Sequence, residues 1–372
     1  MKKPLVILTG PTAVGKTELS INLARKINGE IISADSAQVY KGLDIGSAKI
    51  TREEMQKIPH HLIDILEPDQ PFDVTIFQKL AKEAMEGIYE RGHIPVVVGG
   101  TGFYIQALLY DIVFDYERTE KSLDDISKSA DLIQDIHINR LIESVNKSLY
   151  GKDYLTSEGK NETSDFRTLM EKYIEKTDDK MLLYETLKTV DPNSAQIIHM
   201  NNYRKVIRAL EFYSQYGIRI SEHNKTERER ESAYNSAYLV LNMDRSILYD
   251  RINRRVDIMR NSGLIPEVQS LMEKGLNKSM TSMQAIGYKE ILESLERISL
   301  NNIETDSKEY QELMDEAYEK IKLNTRHFAK RQLTWFRRER DVIWLDKGIY
   351  NTEEQLLEKT LDILSEKGIL TK

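Results

Sequence analysis

One octapeptide near the start, Gly10-Pro11-Thr12-Ala13-Val14-Gly15-Lys16-Thr17, restricts the fold of this chain more than any other stretch. It matches G-x-x-x-x-G-K-[ST] at every fixed position. It follows an apolar run, Leu5-Val6-Ile7-Leu8, and precedes a helical pattern from Glu18 to Ile27. The glycines let the backbone curl until several N–H groups point at one centre, and the next helix adds the positive end of its dipole. Lys16 brings a charge to the terminal phosphate and Thr17 a hydroxyl for Mg2+. The loop is therefore expected to bind a diphosphate or triphosphate with Mg2+ as cofactor.

The chain has 372 residues, 40% hydrophobic and 30% charged, enough for two or three domains with cores of their own. The absence of cysteine excludes disulfides and thiolate metal sites. The first strand leaves no room for a signal peptide, and no apolar run reaches the ~18 residues of a membrane span, so a soluble, cytoplasmic protein is expected. The net charge of −7 argues against a general nucleic-acid binder, but six Arg or Lys and one acid fall between Asn324 and Arg340. A local basic face of that kind can hold a specific polyanion.

Apolar, β-branched runs at 5–9, 30–33, 62–66, 95–98, 238–241 and 342–345 alternate with helical patterns. That alternation predicts an α/β fold with a parallel sheet covered on both faces and the phosphate loop at its carboxyl edge. The stretch 117–184 is charged and patterned at helical spacing (Leu132, Ile133, Ile136, Leu141, Ile142, Val145), and 151–164 and 221–236 read as polar connections. The expected division is a first part of the core over 1–116, a helical insertion domain over 117–200, the remainder of the core over 201–345 and a C-terminal helix over 346–372.

Four further stretches carry chemistry. After the second strand, Ser33-Ala34-Asp35-Ser36-Ala37-Gln38 sets Asp35 at the edge that holds the phosphate loop. There it can bind Mg2+ through water, accept a proton from a nucleophile, or cap a helix. After the fourth, Gly99-Gly100-Thr101-Gly102 stands where a nucleotide hydrolase carries an acid; the glycines admit a ligand and the Thr101 hydroxyl can orient it. His60 and His61 are adjacent without a third ligand nearby, and are expected to pack and hydrogen-bond rather than bind metal. Arg204, Lys205 and Arg208, the stretch Gln284 to Lys289, and Lys330, Arg331, Thr334 and Arg337 interleaved with Phe328, Trp335 and Phe336 offer basic and aromatic groups suited to RNA.

In combination these motifs resemble those of the bacterial tRNA dimethylallyltransferases (tRNA isopentenyltransferases). The resemblance covers 4–115 and 165–345 and includes Arg208-Ala209-Leu210-Glu211, Ala285-Ile286-Gly287-Tyr288 and Ala329-Lys330-Arg331-Gln332-Leu333-Thr334-Trp335. It implies a P-loop core with a helical insertion and a helical C-terminal region. It also implies transfer of a dimethylallyl group from dimethylallyl diphosphate to N6 of the adenine just 3′ of the anticodon, in tRNAs reading codons that begin with U. In that reading Asp35 is the general base, Thr101 places the acceptor, and Lys16 with the rest of Gly10–Thr17 holds the diphosphate and Mg2+. Arg245 resembles an arginine that grips the pyrophosphate. Asp35, Ser36, Ala37, Gln38, Thr101, Arg167, Arg204, Lys205 and Arg208 would contact tRNA, as would Gln284, Gly287, Tyr288, Lys289, Lys330, Arg331, Gln332, Thr334, Trp335 and Arg337. A monomer is implied. Asn202, the pair Arg204-Lys205 and Lys289 depart from the family's usual residues. A P-loop small-molecule kinase is the main alternative, and a nucleotide-gated RNA-binding switch the second.

Overall fold

The computed structural model describes residues 2–113, 127–150 and 166–370. In chain order these form Pro4–Thr9 (β1), Lys16–Ile27 (α1), Gly29–Ala34 (β2), His60–His61 (β3), Val74–Glu90 (α2), Ile94–Gly99 (β4) and Gly102–Leu109 (α3). Helices follow at Ser127–Tyr150 (α4), Phe166–Thr177 (α5), Lys180–Val190 (α6), Pro192–Ile197 (α7), Tyr203–Tyr216 (α8) and Ile220–Glu229 (α9). The rest is Asn235–Asn242 (β5), Arg245–Asn261 (α10), Leu264–Glu273 (α11), Tyr288–Leu300 (α12), Lys308–Phe336 (α13), Val342–Asp346 (β6) and Glu353–Glu366 (α14). The described part of 117–184 is helical, while the polar stretch 151–164 lies outside the described residues.

The strands form one sheet in the order β3-β2-β4-β1-β5-β6, with every neighbouring pair parallel. β1 and β2 are almost wholly buried, as apolar strands covered on both faces must be. Because β1 lies beside β4, and β4 beside β2, the loops that leave these three strands meet at one edge. Glu30 is the charged exception inside β2, only 2% exposed. Arg91 grips it at 2.8 and 2.7 Å, and His61 Nε2 and His93 Nδ1 each pair with it at 2.7 Å. The Arg91 hydrogen bonds, then the two histidines, overcome the cost of burial and hold its pKa down to about 2. His60 Nδ1 pairs with the Ile58 carbonyl at 2.8 Å, so both histidines have hydrogen-bonding roles.

Three expectations are corrected. The third strand is His60–His61 rather than 62–66, because Leu62 and Asp64 take positive φ (63° and 53°) and turn the chain. Leu66 keeps a single bridge to Tyr40. The stretch 221–236 is mostly α9, despite its polarity; the buried Asp191 carboxylate accepts from the Ser221 amide at 3.0 Å and hydroxyl at 2.6 Å. The chain divides into Met1–Ile112 with Ser232–Lys372, and Val113–Glu231. α8 thus belongs to the second unit, where Val206, Ile207 and Leu210 join the cluster of Leu169, Leu183 and Leu187. α14 is no separate piece: Leu356, Leu357 and Leu364 share the first unit's core with Leu19 and Leu23 of α1.

Candidate active site

Two glycines make the phosphate loop possible. Gly10 (φ 143°) runs so close to β5 that a Cβ would lie 2.5 Å from the Leu241 carbonyl, and Gly15 (φ 96°) turns the chain into α1. Val14 anchors the loop in the core, and Pro11 is buried. Lys16 curls back over the loop and donates to the carbonyls of Gly10 (3.0 Å) and Pro11 (2.9 Å).

Thr12, Ala13, Gly15, Lys16 and Thr17 line a cavity of about 300 Å3, completed by Ser33, Asp35, Gln38, Ser47, Val98, Gly99, Arg251 and Arg255. Burial, and then the neighbouring Arg255, lower the Lys16 pKa to about 8, with Asp35 partly opposing them. Burial likewise lowers the pKa of Arg255, which donates to the Thr12 hydroxyl at 3.2 Å. Three cations and one carboxylate on the wall make this an anion site. Thr17 lines it with a hydroxyl that makes no hydrogen bond among the described residues. With the Asp35 carboxylate on the same wall, the oxygens fit a Mg2+ ion, which takes one or two protein ligands and completes its shell with phosphates and water.

Arg251 and Arg255 were not legible from the motifs. They are four residues apart on α10, beside the buried Ile252 and Val256. Arg245 occupies the exposed first turn of that helix, its guanidinium 5.0 Å from the Tyr249 ring, and is not on the cavity wall. The anion-facing arginines stand about two turns further along α10.

Asp35 leaves β2 into a turn and caps no helix, which removes that alternative among the three roles open to it. Its Oδ1 accepts from the amides of Ala37 (2.9 Å) and Gln38 (3.3 Å), and Oδ2 takes no hydrogen bond among the described residues. Ser36 is exposed at the tip of this turn. One strand over, the Thr101 amide donates to the Ala34 carbonyl at 3.4 Å, which ties the two strand ends together. Thr101 precedes α3 without capping it, and its hydroxyl makes no hydrogen bond among the described residues; it is not among the cavity-lining residues.

The glycines around Thr101 admit protein rather than ligand. A Cβ on Gly100 would lie 2.0 Å from Gln332 Nε2, and one on Gly102 2.3 Å from the Trp335 ring. Gln332 is 5% exposed. Its Oε1 accepts from the Thr12 amide and its Nε2 donates to the Gly100 carbonyl, both at 2.9 Å. This corrects its expected contact with tRNA: both ends of the amide are committed to joining the phosphate loop to the Thr101 turn. Lys330, Arg331, Thr334 and Trp335 line a groove of about 370 Å3 with His327 and Arg338. Arg337, the C-cap of α13, is exposed but off that groove.

A second correction concerns Tyr288, which is 0% exposed. Its hydroxyl donates to Glu267 at 2.6 Å and accepts from the Ser47 amide at 3.3 Å, and Glu267 also accepts from the amides of Asp44, Ile45 and Gly46. The ring leaves no surface for a partner; it fixes the loop that carries Ser47 to the cavity. Gly287 is buried at φ 101°, while Gln284 and Lys289 are exposed. In the second unit, Arg204, Lys205 and Arg208 are exposed on α8, opposite its buried Val206, Ile207 and Leu210. Arg167 pairs there with the buried Glu211 carboxylate.

Comparison with known proteins bears on this geometry. The family model described as IPP transferase matches residues 38–339, and that described as isopentenyl transferase matches 3–67. A tRNA dimethylallyltransferase of Lachnoclostridium phytofermentans is 45% identical over 368 residues, 99% of each chain. A solved tRNA delta(2)-isopentenylpyrophosphate transferase of Staphylococcus epidermidis is 37% identical with a TM-score of 0.61, covering 98% of this chain and 100% of its own. A eukaryotic dimethylallyltransferase acting on tRNA is 28% identical with a TM-score of 0.69, covering 98% of this chain and 80% of its own. A strand-fed phosphate loop, a carboxylate just past β2 at the same sheet edge and near full-length likeness to these enzymes lead to one assignment: the chain belongs to the IPP transferase family.

Proposed function

We propose that this protein transfers a dimethylallyl group from dimethylallyl diphosphate to N6 of the adenine 3′ to the anticodon, in tRNAs reading codons that begin with U. The observation that carries the reading is the cavity itself: Lys16, Arg251 and Arg255 meet the Asp35 carboxylate on one wall. A kinase would use such a loop to steady charge around phosphorus. Here it steadies a leaving group. Heterolysis of the allylic C–O bond puts negative charge on diphosphate, which the loop amides, Lys16 and the two arginines neutralise. A Mg2+ ion held by Thr17, with Asp35 beside it, would supply further positive charge at the diphosphate oxygens.

The allylic carbon then forms its bond to N6, and the N6 proton passes to Asp35 Oδ2, the oxygen its own turn leaves unbonded. Such general-base help contributes about 10²–10⁴ in rate. Thr101 orients the base, which leaves its stack at a cost of about a few kcal/mol. The basic groove of α13, and by resemblance the exposed arginines of α8, hold the tRNA backbone. Among the described residues no helix is long and apolar enough to cross a membrane; a cytoplasmic monomer is part of this reading.

Incubating the protein with Mg2+, dimethylallyl diphosphate and unmodified tRNA, then digesting to nucleosides, tests it by mass spectrometry. The expected result is an adenosine heavier by one dimethylallyl group in place of hydrogen. Unchanged adenosine, together with phosphate transfer from labelled ATP to a small acceptor, would instead favour the kinase.

A further inference from the structure

Besides Arg251 and Arg255, a further cation beside the phosphate loop belongs to none of the motifs. Lys347 follows β6, and its ammonium stands 3.0 Å from where a Cβ on Gly15 would lie; Arg251 Nη2 is 3.5 Å from the same point. The Lys347 side chain is only 12% exposed. Among the described residues its one hydrogen-bond partner is Oε1 of Glu353, in the first turn of α14. An ammonium has three donors, so two remain unfilled beside the loop. The other Glu353 oxygen is buried and accepts no hydrogen bond among the described residues. Buried polar atoms are nearly always satisfied, so a pair left half-satisfied on both sides needs an explanation. A ligand at the loop supplies one. The family match ends at residue 339, before β6, so it assigns this pair nothing.

We propose that Lys347 is a further ligand of the diphosphate, reaching a phosphate oxygen held at Gly15, and that Glu353 competes with the diphosphate for it. The proposal rests on the diphosphate reading of the cavity. Arg251 and Lys347 then approach the anion at Gly15 from α10 and from the turn after β6, two elements distant in sequence. Glu353 keeps the ammonium from facing Arg251 unshielded while the cavity holds no anion.

Calorimetric titration of the full-length protein with inorganic diphosphate and Mg2+ tests this, using Lys347→Met, Lys347→Arg, Glu353→Gln and Lys16→Ala. Lys347→Met is expected to weaken binding about 10- to 100-fold, the range of a lost hydrogen bond to a charged group. Lys347→Arg should restore most of it. Glu353→Gln removes the competitor and should tighten binding about 2- to 5-fold. The two deletions break the same ion pair, so a purely structural pair would shift affinity in the same direction in both. Weakening by Glu353→Gln equal to that by Lys347→Met overturns the proposal, as does wild-type affinity in Lys347→Met. If Lys16→Ala has no effect, or the wild type does not bind diphosphate, the reading of the cavity itself fails and this inference with it.

Discussion

Replacing Gln332 by Met is the sharpest probe of how the two substrate loops are joined. Methionine matches the side chain's length and volume but removes both hydrogen bonds. The Thr12 amide and the Gly100 carbonyl, each now 2.9 Å from a Gln332 atom, both lose their partner. A buried group left unsatisfied costs about 1–3 kcal/mol. Thr12 is half-buried and water can reach it, so the pair together is worth about 2–4 kcal/mol. Part of that is lost as stability. The rest must be met when diphosphate re-orders the loop, and each 1.4 kcal/mol is about tenfold in affinity. The KM for dimethylallyl diphosphate is therefore expected to rise at least about tenfold, while tRNA affinity by filter binding stays near wild type because the amide faces inward. Gln332→Glu keeps the acceptor for Thr12 but sets a carboxylate oxygen against the Gly100 carbonyl, and should be worse. Weakened tRNA binding with an unchanged diphosphate KM would refute the joining role and restore the tRNA contact first expected.

Other outcomes follow from the same geometry. The free-state Lys16 pKa of about 8 means that its ammonium is lost as pH rises through that value. A bound diphosphate favours the ammonium, so binding should weaken above about pH 8 and take up a proton there; observed heats that do not vary between buffers of different ionisation enthalpy would argue against it. Arg251→Ala and Arg255→Ala should each raise the diphosphate KM about tenfold or more, whereas Arg245→Ala should leave it within about threefold; the reverse order in steady-state kinetics would return the pyrophosphate contact to Arg245. Tyr288→Phe removes the hydrogen bond to Glu267 and should lower stability to denaturant by about 1–3 kcal/mol without changing tRNA affinity. Arg331→Ala should weaken tRNA binding and reduce its salt slope by about 1, and an unchanged slope would place that side chain away from any phosphate.

The local parts of this fold were the legible ones. The phosphate loop, the aspartate at the end of β2 and the apolar runs of the sheet each carry their signal within a dozen residues. The rest depends on contacts distant in sequence. Arg251 and Arg255 matter only because α10 lies against the phosphate loop, which no spacing within α10 reveals. Gln332 was assigned to tRNA by resemblance alone, although Ala329 and Phe336, three residues before and four after, are both 0% exposed and place it on the buried face. Tyr288 had the same signal, with Ile291, Leu292 and Leu295 of α12 buried alongside it. The left-handed residues Leu62 and Asp64 defeated strand assignment, since β propensity does not register a turn imposed by tertiary pairing.

The central claim is that an anion cavity releases diphosphate while Asp35 removes a proton from the attacking amine. Single-turnover transfer by Asp35→Asn, with tRNA and dimethylallyl diphosphate both saturating, measures this most directly. Asparagine preserves the turn and both substrates' binding but cannot take the proton, so the rate constant should fall about 10²- to 10⁴-fold. A rate constant equal to that of the wild type would remove Asp35 from the chemistry and leave the proton without an acceptor on this wall.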